Sequence, residues 1–144
     1  RSPEQEAREK DFPNRRGFGN NNLALIAHAY RSTGDMTGFD DAMARLKASL
    51  EHQRSEGADN DLLMMSEVFY YMLAGDEDMV LTRLEQVADR RWTPFSPRLS
   101  SGLPVLKPLE GNPRYEAVQQ RMLDHVNAER AELGLEPVVL DRTI

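Results

Sequence analysis

The sequence predicts an all-α fold. Apolar residues recur at spacings of three and four, glycines and prolines fall where those stretches end, and no alternating stretch of useful length competes. Together these signals predict four helices in the middle of the chain, a short polar one before them and a long one after.

The elements follow in order. Ser2 and Pro3, with Glu4 and Glu6 behind them, form a helix start: an N-cap, a first-turn proline and acids that suit the helix dipole. This stub ends near Phe12-Pro13, and Asn14 to Asn22, with Gly17 and Gly19, reads as a loop. The first full helix runs from about Asn22 to Ser32, with Leu23, Ile26, Ala27 and Tyr30 on its core face and Gly34 capping its end. Thr37 N-caps the second, with Asp40 three residues on as in an acidic capping box. Its stripe is Phe39, Met43, Leu46 and Leu50, and Gly57 stops it. The third starts after Asn60, sets Met64, Val68 and Tyr71 on one face and ends at Gly75. Asp76 caps the fourth, which carries Val80, Leu84, Val87 and Ala88 and ends near Trp92, ahead of Pro94.

From Thr93 to Asn112, Pro94, Pro97, Pro104, Pro108, Gly102 and Gly111 break the chain into short turns, with one brief helix opened by Ser96-Pro97. Asn112-Pro113 then begins a long helix to about Leu133, striped by Tyr115, Val118, Met122, Val126 and Leu133 and closed by Gly134. Leu135 to Ile144 is a tail in which Val138 to Leu140 can pack on a neighbour. The organisation expected is therefore a stub and loop over 1–21, two helical hairpins over 22–92, a connector over 93–112, and a C-terminal capping helix with tail over 113–144.

Composition bounds the function. A chain of 144 residues suits one well-packed domain, and 40% hydrophobic with 29% charged residues is ordinary for a globular one. Apolar runs such as Leu62 to Met65 are far too short to span a bilayer, so no membrane insertion is expected. The balance of 18 basic and 24 acidic residues gives a net charge of −6, which repels a phosphate backbone and argues against nucleic acid. With no cysteine there is no disulfide, thiolate zinc site or thiol nucleophile, and either side of a bacterial membrane suits such a chain. Arg1 opens the sequence and no signal-peptide pattern follows, which predicts a piece of a longer protein, with the cytoplasm as the default compartment.

An internal repeat is visible when Gly34-Asp35 is laid on Gly75-Asp76. Leu23-x2-Ile26-Ala27-x2-Tyr30 then matches Met64-x2-Glu67-Val68-x2-Tyr71, and Ala42-x3-Leu46 matches Val80-x3-Leu84. This pattern resembles the tetratricopeptide repeat (TPR) signature, although Glu67 replaces an apolar residue, the usual Trp and Gly are missing, and the first repeat carries extra residues around Thr37-Gly38-Phe39. The segment Lys107 to Tyr115 resembles the "PLR-x-DPRF" element closing the C-terminal repeats of bacterial tetratricopeptide proteins, some fused to cyclase, kinase or DNA-binding regulatory domains. Here Glu110 stands for its Arg and Asn112 for its Asp. The run Asn127 to Leu135 is similar to their tails. The resemblance implies TPR-like antiparallel hairpins in an α-α superhelix with a C-terminal capping helix.

Residues able to do chemistry are few. His28, His52 and His125 lack ligand spacing, so no metal or cofactor is expected. Asp40-Asp41 and Asp76-Glu77-Asp78 sit at helix starts, where capping explains them better than acid–base catalysis or calcium binding. No nucleophile elbow, phosphate loop or dinucleotide fingerprint is present. Arg15-Arg16 with Phe18, and Arg90-Arg91 with Trp92, are weighed as an RNA or phosphopeptide patch, but the acidic balance favours helix-end arginines and a core tryptophan. Most methionines read as core filler.

By analogy with tetratricopeptide arrays, the first helix of each pair lines a groove. Asn21, His28 and Arg31 would line it in the first repeat, and Met65, Phe69 and Met72 in the second. The alternative is that the C-terminal segment covers Phe69 and Met72. The expected function is a scaffold module that binds a protein or peptide and catalyses nothing. The alternatives are a structural cap or homodimerisation surface, and an accessory domain of an enzyme or transcription regulator.

Overall fold

The computed structural model describes Pro3 and residues 18–92 and 98–140, and every regular element among them is helical. No helix of these residues is long and apolar enough to cross a membrane. The chain forms two compact units, Arg1–Val80 and Leu81–Ile144, with the boundary inside a helix.

The first unit holds α1 (Phe18–Ser32), α2 (Met36–Ser55), α3 (Asp61–Ala74) and the first turn of α4 (Glu77–Asp89). Its core joins Leu23, Ala24 and Ala27 of α1, Ala42, Leu46 and Leu50 of α2, and Leu63 and Leu73 of α3. Alanines on both α1 and α2 let the two backbones approach, and the leucines fill the space between them.

Three details depart from the sequence expectation. The helix expected from Asn22 begins at Phe18, so part of the expected loop is helical. Tertiary partners hold this extra turn: buried Asn20 accepts a 2.6 Å hydrogen bond from the Ser49 hydroxyl, and Asn21 accepts one of 3.4 Å from Ser66. The inward face of α1 is also shifted. Ala24 is buried, whereas Ile26 and Tyr30 are 46% and 38% exposed, because α1 turns its small residues to the core. Finally, Asp35 rather than Thr37 caps α2; its Oδ1 accepts the Gly38 N–H at 2.9 Å. A carboxylate there answers both the free N–H and the helix dipole. Gly38 has its own reason: a Cβ at that position would lie 2.6 Å from the Tyr30 ring, so only glycine leaves the ring its place. The expected stub from Ser2 to Phe12-Pro13, Pro3 apart, and the loop before Phe18 lie outside the described residues.

The corner between helices occurs twice with the same bonding. Asp35 N–H donates to Tyr30 O and Gly34 N–H to Arg31 O; Asp76 N–H donates to Tyr71 O and Gly75 N–H to Met72 O. Gly34 and Gly75 have φ of +80° and +76°, the left-handed geometry this C-cap demands. Each following Asp accepts the N–H three residues on, Gly38 in one corner and Met79 in the other.

The second unit contains the rest of α4, the short α5 (Leu99–Gly102), a 3-10 turn (Pro104–Leu109) and α6 (Pro113–Glu132). Leu84, Val87 and Ala88 in this part of α4 are fully buried, as is Val80 at the end of the first unit. The brief helix expected at Ser96-Pro97 appears at Leu99, and Ser96-Pro97 themselves lie outside the described residues. Buried Gln119 ties it to α6 by accepting the Leu99 N–H at 3.1 Å. Asn112 caps α6 by accepting from Arg114 N–H and Tyr115 N–H. Tyr115, Val118 and Met122 of the expected stripe are buried, but Leu133 is 75% exposed because the helix ends at Glu132 and the chain turns away. Ion pairs Arg114–Glu85, at 2.5 Å, and Arg121–Asp89 bind α6 to α4. The tail folds back along α6: the Asn127 amide donates to Val138 O and accepts from Val138 N–H, at 2.9 and 2.7 Å.

The end of α4 uses the same C-cap with an arginine in the glycine position. Arg91 has φ +59°, its N–H donates to Ala88 O, and Trp92 N–H donates to Val87 O. A left-handed non-glycine residue carries roughly 1–2 kcal/mol of steric cost, partly offset in a glycine variant by unfolded-chain entropy. Arg91→Gly is therefore expected to stabilise the fold by about 0.5–1 kcal/mol. A thermal unfolding midpoint below that of the unmodified chain would contradict this.

Candidate functional site

A cleft of about 470 Å³ opens in the first unit between α2 and α3, reaching the N-cap of α4. Its α2 wall is Lys47, Leu50, Glu51 and Arg54, and its α3 wall is Glu67, Tyr70, Tyr71 and Ala74. Each set follows the i, i+3, i+4, i+7 spacing of one helix face. Arg54, near the end of α2, and Glu67, midway along α3, meet across the cleft. Asp76 closes the end.

An ion pair holds the inner end. Arg54 grips Glu67 with both arms of its fork, Nη2 to Oε1 and Nε to Oε2, the latter at 3.4 Å, while Nη1 reaches Asp59 at 3.3 Å. The Glu67 side chain is 7% exposed and that of Arg54 32%. The hydrogen bonding that Arg54 donates to Glu67 is the chief reason that its guanidinium is held above its usual pKa, against the opposing effect of burial. At the mouth, Lys47 and Glu51 form a loose pair at 3.9 Å with both side chains exposed. The rings of Tyr70 and Tyr71 meet edge to face at 5.3 Å.

The residues expected to line a groove are divided by the structure. Two brace α1 against α3: Asn21 accepts from Ser66, and the Arg31 guanidinium donates to Leu73 O at 3.1 Å while lying over the Phe39 ring. The Arg31 contact places a cation at the carbonyl end of α3, where the helix dipole favours it. His28 is exposed, Met65 is buried, and Phe69 and Met72 are half-buried, Phe69 against the core of the unit. The surface proposed from the sequence is thus in part internal packing.

Other candidates take modest roles. His52 pairs with Glu56 at 3.3 Å on the surface, and among the described residues no three acidic or histidine side chains converge as a metal site requires. Asp76 caps α4, as its position predicts. Arg90 and Arg91 are exposed and Trp92 is half-buried; Arg15 and Arg16 lie outside the described residues.

The α2–α3 cleft escaped the sequence reading because its walls are charged and aromatic, and helix faces were chosen by apolarity. The signal was nonetheless present as two ladders of equal spacing, 47, 50, 51, 54 and 67, 70, 71, 74. No protein-family model matches this chain, and no curated protein or solved structure matches it either.

Proposed function

We propose that this chain is a protein- or peptide-binding module built from tetratricopeptide-like helical hairpins, holding a partner and performing no catalysis of its own. The observation that carries the reading is the α2–α3 cleft: two regular helix faces, rings on one wall, and charged groups paired within it. Its volume falls in the roughly 300–1,000 Å³ range of ligand sites, and a groove between helices is a recurring way to seat a peptide. The repeated Gly-Asp corner supports the family resemblance. Selection of a displayed random-peptide library on the immobilised chain is expected to enrich a shared motif. Enrichment no greater than on a heat-unfolded sample would remove the reading.

One feature favours a second reading, a homodimer or cap. Leu25, Ile26, Tyr30 and Met36 are 67%, 46%, 38% and 50% exposed around α1 and its corner, apolar surface that a second copy could cover. On that reading sedimentation equilibrium gives a dimer that Leu25→Glu dissociates; a monomer at all concentrations would eliminate it.

A further inference from the structure

We infer that Asn127 and Arg130 of α6 form a clamp for the main chain of an extended peptide, and that residues 136–140 of this chain occupy it as a built-in competitor of a partner segment. The clamp lies in the second unit and is separate from the α2–α3 cleft. Asn127 and Arg130 stand three residues apart, on one face of α6. The Asn127 amide donates to Val138 O and accepts from Val138 N–H, at 2.9 and 2.7 Å, and Arg130 Nε donates to Glu136 O at 2.6 Å. All three bonds end on main-chain atoms of the tail. A side-chain amide carries both donor and acceptor, so it satisfies the two main-chain groups of one residue whatever that residue's side chain.

Side chains add a coarse preference. Val138 and Leu140 are half-buried while Val139 between them is 78% exposed, the alternation of an extended segment with one face against the protein. Among the described residues none after Leu123 is buried, and Val126 on α6 is half-buried. Little apolar area therefore holds the tail, and its grip depends on bonds that another main chain can make. The tail's advantage is its tether. Gly134, at φ +70°, and the bond from Leu135 N–H to Arg130 O turn the chain back and keep the tail at high local concentration. The partner that fits is an extended segment with apolar residues at alternate positions, and it gains the clamp by displacing the tail.

Val138→Pro tests this, because it removes the N–H that Asn127 accepts and leaves both clamp residues in place. Residues 139–140 of the variant should show the heteronuclear NOE of a free chain end, whereas those of the unmodified chain match α6. A blocked peptide of residues 135–140, added in trans, should then shift the amides over 123–131, with an affinity about tenfold above that for the unmodified chain. Adding Asn127→Ala to the variant should abolish these shifts, as should methylating the peptide nitrogen that corresponds to Val138. A tail that stays rigid in Val138→Pro, or equal affinity of the two chains, would overturn the inference. So would binding that survives Asn127→Ala or the N-methyl group, or no binding to any chain. The library selection judges the broader reading separately: a motif mapping to the α2–α3 cleft, with no trans binding at α6, would keep the module and discard the clamp.

Discussion

Arg54→Ala is expected to destabilise the protein by about 3 kcal/mol, whereas Glu67→Met at the other end of the same ion pair should stay within about 1 kcal/mol of the unmodified chain. The asymmetry follows from where each group sits. The Glu67 side chain is almost fully enclosed, so removal of Arg54 leaves a buried carboxylate with its principal counter-charge gone. Removal of Glu67 leaves Arg54 one-third exposed and still bonded to Asp59. Methionine also fills a helical core position adaptably. The double variant Arg54→Ala/Glu67→Met should therefore recover most of what Arg54→Ala loses. Urea unfolding monitored by circular dichroism reads all four proteins. Equal losses for the two single variants would show that the pair is worth more than the apolar contact replacing it.

This pair also marks how far the sequence could be read. Glu67 stood out as a charged residue where the repeat pattern has an apolar one, but a pattern comparison gives no partner for it. The partner becomes visible only when α2 and α3 are folded against each other about the turn after Gly57, which brings Arg54 to the facing position. The all-α class and the α4 stripe of Val80, Leu84, Val87 and Ala88 were legible because periodicity and caps act locally. The closing glycines Gly34 and Gly75 and the Asp76 cap were legible for the same reason: each bonds to residues a turn away.

What could not be read depends on distant contacts. Nothing near Asn20 indicates that it is helical and buried, since its partner Ser49 lies on the next helix. Spacing alone allowed Ile26 and Tyr30 the core face of α1, and the choice fell to Ala24 and Ala27 because small residues permit the close approach to α2. Thr37 was the expected cap of α2, and the chain uses Asp35 instead. The cleft was hidden by the opposite fault: a search for apolar surface passes over a site whose walls are tyrosines and ions.

The second large effect concerns Tyr115, fully buried in the first turn of α6. Tyr115→Ala is expected to cost about 3–5 kcal/mol at neutral pH, the range for deleting a buried aromatic side chain. Tyr115→Phe separates packing from ionisation. Burial pushes the phenol above its ordinary value of 10.0, the charges of Glu110 and Glu116 push the same way, and Ser100 opposes them. Above pH 10 the unfolded chain loses this proton while the folded chain keeps it, so the folded state binds more protons and stability falls as pH rises. Below that pH both states hold the proton and the contribution is constant. Phenylalanine fills the same space and has no proton to lose. The stability difference between Tyr115→Phe and the unmodified chain should therefore be flat through neutral pH and swing in favour of the variant above pH 10. A difference that stayed flat throughout would mean that the phenolate is accommodated in the folded unit, and that water or a cation reaches the hydroxyl of Tyr115.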